Sequence, residues 1–158
     1  MRTAIFPGSF DPFTVGHYDV LESALCLFDK VIIAVGYNSS KQGFFSPQTR
    51  IEIIQEATKS LQNIEVCSYT DLTIELCNQL NVKYIVRGLR TTTDFELESV
   101  IAQANKKMAP HVSTIFIPAS QEYSFISSTV VRDVLLHGGD ASLFLPKGID
   151  IKKYTKSE

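Results

Sequence analysis

The sequence predicts an α/β fold in which a doubly wound, five-stranded parallel sheet carries helices on both faces. Short apolar runs typical of buried strands alternate with stretches whose apolar residues recur at helical spacing. This alternation favours a parallel sheet with right-handed crossovers, because each helix packs back on the sheet before the next strand begins. Ligands of such folds bind beyond the carboxyl ends of the strands, so the segments that follow the strands are the most informative.

Five apolar runs mark the predicted strands. Each is short and is bounded by polar or turn-forming residues, as expected of strands that are buried on both faces. The runs cover residues 3–6, 31–35, 64–67, 84–86 and 114–117. Five strands are therefore the minimum for this chain.

The first two predicted helices have clear signals. Apolar positions of the first share one helical face, and they are Val20, Leu21, Ala24, Leu25 and Phe28. The second helix has Ser46 as a candidate N-cap and Pro47 at its first position, where a missing backbone N–H costs nothing. Its apolar stripe consists of Ile51, Ile53, Ile54 and Ala57.

Three further helices complete the predicted alternation. The third begins after residue 71 and ends near residue 81, and the fourth runs from about residue 94 to residue 108. The fifth follows Ser127 and stops at the glycine pair 138–139, because glycine commonly terminates helices. Strand and helix thus alternate along nearly the whole chain.

The composition is typical of a globular domain that binds a small molecule. Hydrophobic residues make up 44% of the 158 residues and charged residues 20%, so residues 1–158 are expected to fold as one domain. The net charge of −2 gives no overall attraction to nucleic acid or to an anionic membrane. Neither is expected as a partner, and any phosphate site must be local.

The cysteines and the chain ends favour a cytoplasmic location. Cys26, Cys67 and Cys77 lack metal-ligand spacing and lie in apolar patterns, so they are expected to be reduced cysteines of the core. The apolar run before Pro7 is too short for a signal-peptide core or a membrane span. The charged segment 151–158 is expected to be a solvated end.

Four polar segments follow predicted strands and are expected to converge at one edge of the sheet. They cover residues 8–17, 38–41, 87–90 and 120–129. In the first, Gly8 permits close backbone approach, Ser9 offers a hydroxyl, and His17 lies where free amides and the helix dipole favour an anion. Phosphate is the expected anion. The alternative is a turn serine and a histidine with a local hydrogen bond.

Two arginines strengthen the phosphate interpretation. Arg87 and Arg90 lie on either side of Gly88 directly after a buried strand, so two guanidinium groups can point toward the same edge. The alternative is a pair of surface arginines bonded to Asp94 and Glu98, which lie one turn apart on the next helix. The position after the strand favours the functional interpretation.

A lysine and a hydroxyl cluster complete the candidate anion site. A loop lysine such as Lys41 is ordinarily solvated, but its position after the second strand favours a function. Ser127, Ser128 and Thr129 lie where the fifth helix begins, so hydroxyls and free amides would face the same phosphates. A simple N-cap needs only one of them, and a serine-rich cap is the alternative.

The stretches just described make the chain resemble a known enzyme family. "GSFDPFTVGH", "VRGLR" and "SFISSTVVRD" together are similar to the phosphopantetheine adenylyltransferases, within the nucleotidyltransferase superfamily that carries (H/T)xGH and ISSTxxR signatures. The resemblance covers nearly the whole chain. Departures are conservative: "RGLRTTTDFELE" and "ISST" replace the more usual RGLRAVxDFExE and ISSS, and Ser9 stands where many members have threonine.

The resemblance implies roles for individual residues. His17, Lys41 and Arg87 would be catalytic, with His17 stabilising the transition state while Lys41 and Arg87 hold the phosphate of phosphopantetheine. The implied ATP contacts are Ser9, Phe10, His17, Gly88, Leu89, Arg90, Glu98, Tyr123, Ser124, Phe125, Ile126, Ser127, Ser128 and Thr129. The implied phosphopantetheine contacts are Ser9, Lys41, Thr73, Arg87 and Asn105.

The resemblance also implies a Rossmann-like fold and a reaction. ATP and 4'-phosphopantetheine would give dephospho-coenzyme A and pyrophosphate, the penultimate step of coenzyme A biosynthesis, with Mg²⁺ accompanying ATP. A homohexamer and feedback by coenzyme A are further expectations of the family. Two alternatives remain: a nucleotidyltransferase that uses nicotinamide mononucleotide or cytidine triphosphate, and a nucleotide-binding sensor without turnover.

Overall fold

A computed structural model, which describes residues 1–155, contains the predicted parallel sheet of five strands. The strands are β1 (Thr3–Gly8), β2 (Lys30–Gly36), β3 (Ile64–Tyr69), β4 (Tyr84–Leu89) and β5 (Ser113–Pro118). Their order across the sheet is β3-β2-β1-β4-β5, and every neighbouring pair is parallel. This arrangement confirms the α/β, Rossmann-like fold expected from the sequence.

The strand order places a crevice between β1 and β4. The chain starts at the centre of the sheet, proceeds outward through β2 to β3, and then returns to the other side of β1 to form β4 and β5. Crossovers on the two sides therefore cover opposite faces, and the connections diverge where β1 and β4 lie side by side. The carboxyl ends of these two strands are the expected ligand site.

The helices agree with the predicted order. They are α1 (Val15–Leu27), α2 (Pro47–Thr58), α3 (Thr73–Gln79), α4 (Thr92–Met108), α5 (Ser128–Leu136) and the short α6 (Lys152–Thr155), with single 3₁₀ turns at Gln121–Tyr123 and Ser142–Phe144. Ser46 caps α2 as predicted, because its Oγ accepts the N–H of Thr49 at 3.1 Å. Helix α4 begins two residues earlier than predicted, since Thr91 Oγ1 caps it by accepting the Asp94 N–H at 3.1 Å.

Alternation of side chains along the central strand divides the core into two parts. Ala4 and Phe6 of β1 face one cluster, which includes buried residues of α1, α2 and α5. Ile5 faces the opposite cluster, which includes Ile74, Leu76 and Cys77 of α3. Successive residues of a strand point to opposite faces, so a central strand with apolar residues at every position is covered on both sides.

The strands extend further than the sequence predicts, and this changes the setting of Arg87. Residues 87–89 were expected after a strand, yet they belong to β4, where Arg87 pairs with Phe116 of β5. Gly8 likewise belongs to β1 and pairs with Val35. Strand pairing continues to Gly8 and Leu89 because β2 and β5 extend as far as β1 and β4 at the carboxyl end of the sheet. Arg87 therefore projects from the sheet itself.

Two sequence expectations are wrong in part. Cys26 is exposed and not in the core, whereas Cys77 is buried, and that burial raises the pKa of the Cys77 thiol to about 11. The expected solvated end is partly folded, since α6 docks on α2 through bonds from Lys153 Nζ and Tyr154 Oη to Glu56 at 2.7 and 2.6 Å. Residues 156–158 of that segment lie outside the described residues. Among residues 1–155, the helices are too short or too polar to cross a membrane.

Candidate active site

A cavity of about 330 Å³ lies at the carboxyl ends of β1 and β4. Three of the four predicted polar segments line it. The predicted site residues that it brings together are Ser9, Phe10, His17, Arg87, Gly88, Arg90, Glu98, Ile126, Ser127, Ser128 and Thr129. The cavity thus forms where the crossovers diverge, as expected for a doubly wound sheet.

The imidazole of His17 has a defined orientation at the start of α1. Thr14 is the N-cap of this helix, and its Oγ1 accepts the backbone N–H of His17 at 3.4 Å. In return the backbone N–H of Thr14 donates to Nδ1 of His17 at 3.0 Å. A nitrogen that accepts this bond carries no hydrogen, so the neutral ring holds its proton on Nε2. Within residues 1–155, Nε2 has no hydrogen-bond partner, which leaves its N–H available to a ligand in the cavity.

Aromatic and cationic neighbours keep His17 neutral. The edge of the Phe10 ring meets the imidazole at a centroid distance of 5.0 Å, and the Phe13 ring stacks on it at 5.5 Å. Burial, followed by the charges of Arg90 and Arg87, lowers the pKa of His17 from 6.5 to about 3. At neutral pH the ring is therefore a neutral hydrogen-bond donor.

The low pKa of His17 makes a prediction for acid stability. Above pH 6.5 the ring is neutral in the folded and unfolded chains, whereas between pH 6.5 and about 3 only the unfolded chain takes up the proton. Folding stability that this group contributes is thus lost as the pH falls through that window. We expect His17→Gln to reduce the slope of unfolding free energy against pH there by up to about 1.4 kcal/mol per pH unit.

Urea denaturation at several pH values measures this slope. The matched control is His137→Gln, because His137 is exposed, with a side-chain exposure of 78%. Equal slopes for His17→Gln and the unsubstituted chain would contradict the assignment of a neutral, low-pKa His17.

Both predicted arginines line the cavity and are paired with carboxylates of α4. Arg87 donates from Nε and Nη2 to Glu98 at 2.8 and 2.6 Å, and from Nη1 to the Pro7 carbonyl at 2.6 Å. Arg90 donates from Nε to Asp94 at 3.1 Å. The ion pairs with Glu98 and Asp94, which the sequence offered as the alternative to a phosphate site, are therefore present, and both arginines also line the cavity. The two interpretations do not exclude each other. The ion pairs hold the guanidinium planes fixed, and Arg87 retains two N–H donors for a ligand.

Hydroxyls at the start of α5 also have protein partners. Ser127 caps the helix by accepting the Val130 N–H at 3.2 Å, so the simple-cap alternative holds for this residue. Ser128 Oγ donates to the Pro12 carbonyl at 2.8 Å, and Thr129 Oγ1 accepts from Arg132 at 3.1 Å. The first backbone amides of α5 have no partner within the helix, and the residues that carry them line the cavity.

The structure adds residues that sequence reasoning did not place in the site. Thr14, Asp94 and Arg132 line the cavity. Arg132 donates from Nη1 to the Asp11 carbonyl at 2.7 Å, which joins α5 to the segment after β1. The signal for Arg132 was present, since it is the last residue of the ISSTxxR signature. Thr14 is the first residue of TxGH, and its capping role could be predicted from the same motif.

Other predicted site residues lie outside this cavity. Lys41 lines a second cavity of about 360 Å³, together with Tyr37, Phe45 and Arg50. The remaining ones are Leu89 at the end of β4, Thr73 at the start of α3, Asn105 in α4, and Tyr123, Ser124 and Phe125 before α5. Thr73 Oγ1 lies 2.9 Å from the Tyr69 hydroxyl, and Phe125 is 65% exposed. The roles of these residues stay predictions.

Comparisons with known proteins agree with the fold. Residues 5–134 match a family model described as cytidylyltransferase-like. The bifunctional NMN adenylyltransferase/ADP ribose pyrophosphatase from Francisella tularensis superposes with a TM-score of 0.76, at 18% identity, over 98% of this chain and 49% of that one. At this identity the likeness concerns the fold alone.

Closer relatives identify the family. A phosphopantetheine adenylyltransferase of Flavobacterium psychrophilum is 45% identical over 96% of this chain and 100% of its own length. Another, from Bacteroides thetaiotaomicron, is 45% identical over 96% of this chain and 99% of its own length. The chain therefore belongs to the phosphopantetheine adenylyltransferase family and is an enzyme of the nucleotidyltransferase class.

Proposed function

We propose that the chain transfers an adenylyl group from ATP to 4'-phosphopantetheine and releases pyrophosphate and dephospho-coenzyme A. One observation carries this proposal: the free Nε2–H of a neutral His17 shares a cavity with the guanidinium groups of Arg87 and Arg90. A neutral donor and two fixed cations suit two phosphate-bearing reactants. The names of the relatives specify phosphopantetheine as the acceptor.

The reaction needs positioning and charge stabilisation more than it needs acid–base groups. A phosphate monoester has a second pKa of about 6, so most of the acceptor is a dianion at neutral pH and can attack without a general base. An acceptor oxygen attacks the α-phosphorus of ATP in line with the bond to the leaving pyrophosphate, and no covalent enzyme intermediate forms. His17 Nε2–H would donate to an α-phosphate oxygen, where charge grows in the transition state.

The two substrates would occupy different parts of the site. The first loop, Arg90 and the start of α5 would bind ATP, because backbone amides and a guanidinium group converge there. Arg87 would hold the acceptor phosphate from the β4 side, and Lys41 would approach from its own loop. Both cations would offset the repulsion between the two anionic reactants.

Magnesium would enter as part of the ATP substrate. Within residues 1–155, groups of three or more His, Cys, Asp or Glu side chains that could hold a metal ion are absent. Asp94 and Glu98, the carboxylates of α4 in the cavity, are paired with arginines. Mg²⁺ keeps several waters and takes phosphate oxygens as ligands, so a nucleotide-borne ion fits a site of this kind.

A turnover assay tests the proposed reaction. Purified protein would be incubated with ATP, Mg²⁺ and 4'-phosphopantetheine, and pyrophosphate release and product mass would be followed. Parallel reactions would use nicotinamide mononucleotide as the acceptor or cytidine triphosphate as the donor. We expect dephospho-coenzyme A from ATP and phosphopantetheine alone. Product from another pair would overturn the substrate assignment, and ATP binding without turnover would instead support a sensor.

The proposal includes a homohexamer in the cytoplasm, with feedback by coenzyme A. One face of α4 supports the association of copies, because Leu97, Ile101 and Met108 follow one another along the helix and are 63%, 43% and 54% exposed. Large apolar side chains in a row are costly to leave in water. Analytical ultracentrifugation would measure the assembly mass, and a monomer would overturn this part of the proposal.

A further inference from the structure

Two charged side chains are buried between the loops that follow β1 and β2. Asp11 is 7% exposed and Arg50 is 5% exposed, and Arg50 Nε lies 3.4 Å from Asp11 Oδ1. Neither residue has a place in the reaction proposed above. Burying an ion pair brings a desolvation cost that often matches or exceeds the attraction between the charges. The contacts of this pair therefore indicate what it does beyond adding stability.

Asp11 reaches from the first loop to the second. Its Oδ2 accepts the backbone N–H of Phe44 at 2.8 Å, and its Oδ1 accepts the N–H of Phe45 at 2.8 Å. Two charge-assisted hydrogen bonds from consecutive amides fix both the distance and the direction of the second loop. A single carboxylate thus joins the segment after β1 to the segment after β2.

Arg50 completes the connection from α2. Its Nε donates to the Phe45 carbonyl at 2.8 Å, and its Nη1 donates to the Ser9 carbonyl at 3.2 Å. The second loop passes so close to the guanidinium group that a Cβ on Gly43 would lie 1.7 Å from Nη2. Glycine at this position is what allows Arg50 to touch both loops.

Lys41 lies on the second loop, just before the connected residues. Among the described residues, the hydrogen bonds of segment 38–42 are local, such as those from the Ser40 and Lys41 N–H groups to Asn38 at 2.9 and 3.0 Å. The position of this segment relative to the first loop therefore depends on its ends. Asp11 and Arg50 hold the end at residues 43–45.

We propose that Asp11 and Arg50 are positioning residues, which set the location of Lys41 relative to the segment Ser9–His17. In the reaction proposed above, on which this inference rests, Lys41 serves the acceptor phosphate and the segment Ser9–His17 serves ATP. The buried pair then fixes the separation of the two reacting phosphates. Displacing Lys41 would move its charge away from the acceptor phosphate and weaken the binding of phosphopantetheine.

A double-mutant cycle tests the proposal. Asp11→Asn keeps the shape of the side chain, but it replaces one carboxylate oxygen by an NH2 group that donates and cannot accept. One of the two bonds from the Phe44 and Phe45 N–H groups is therefore lost, and the second loop is held less firmly. We expect KM for phosphopantetheine to rise by about tenfold or more, while KM for ATP changes by less than about twofold. In a Lys41→Ala background, Asp11→Asn should add little to the rise in KM for phosphopantetheine, because the pair acts through Lys41.

Two further variants complete the test. Glu56→Gln is the matched control, since it also replaces a carboxylate by an amide in an ion pair of the α2 region, yet the Glu56 partners are Lys153 and Tyr154. It should lower stability without changing KM for phosphopantetheine. Gly43→Ala displaces Arg50 without removing a charge, and it should reproduce the KM effect of Asp11→Asn.

Several outcomes would overturn the inference. Additive effects of Asp11→Asn and Lys41→Ala on KM for phosphopantetheine would show that the pair does not act through Lys41. Failure of both Asp11→Asn and Gly43→Ala to fold would assign the pair to fold stability alone. If the unsubstituted chain turns over ATP and phosphopantetheine but the effects of the two substitutions are additive, only this inference is rejected. If the unsubstituted chain does not turn over these substrates, the proposed function is rejected as well.

Discussion

Replacing His17 by alanine is expected to lower kcat by about two to three orders of magnitude and to change either KM much less. The reason is that the Nε2–H donor would bind the α-phosphate oxygen most strongly when negative charge accumulates on it. The change also removes a ring packed between Phe10 and Phe13, so circular dichroism and thermal unfolding must accompany steady-state kinetics. An unchanged kcat in a folded variant would remove the role assigned to His17.

A glutamine at the same position distinguishes a neutral donor from a cation. The pKa of His17 is lowered to about 3, so the ring should act in its neutral form, and a neutral amide can replace part of its function. We expect His17→Gln to retain more kcat than His17→Ala, by about tenfold. Equal kcat values for the two variants would argue against a hydrogen bond from a neutral donor.

Replacing Arg87 by alanine is expected to lower kcat/KM for phosphopantetheine by about two to three orders of magnitude. The substitution removes the guanidinium group and also leaves Glu98, whose side chain is 12% exposed, as an unpaired carboxylate beside an anionic substrate. Both effects disfavour the acceptor phosphate. Steady-state kinetics at saturating ATP would measure the loss. Arg87→Lys keeps the charge but not the planar guanidinium group, so it would show how much of the loss depends on the geometry of that group.

A second substitution separates the two effects. In the Arg87→Ala/Glu98→Gln double variant the uncompensated charge is absent, so we expect kcat/KM for phosphopantetheine to recover about tenfold relative to Arg87→Ala. The carboxylate would then have contributed part of the loss. A double variant no more active than Arg87→Ala would indicate that the loss comes from the guanidinium group alone.

Much of the fold could be predicted because its signals are local. Strand runs, helical stripes and N-caps such as Ser46 depend on residues within a few positions of one another, and the structure confirms them. The extension of β4 through Leu89 could not be predicted in this way. It depends on the length of β5, which supplies the hydrogen-bonding partners for Arg87, Gly88 and Leu89.

The candidate site was predictable as a set of segments but not as a set of contacts. Motifs identified His17, Arg87 and the hydroxyls at the start of α5, and the strand order then placed them at one crevice. The separation of Lys41 into a second cavity depends on how the loop after β2 lies against Asp11 and Arg50. Contacts of this kind join residues far apart in the chain, so no local pattern reveals them.

By itself the sequence determined the α/β alternation, the helix caps and the motifs by which the chain resembles its family. Tertiary structure alone decided the strand order, the pairing of Arg87 with Glu98, and the charge of His17. An isolated histidine has a pKa near 6.5, whereas burial and two arginines from the β4 region bring that of His17 to about 3. A pKa depends on the solvent and charges around the group in space, and folding supplies both.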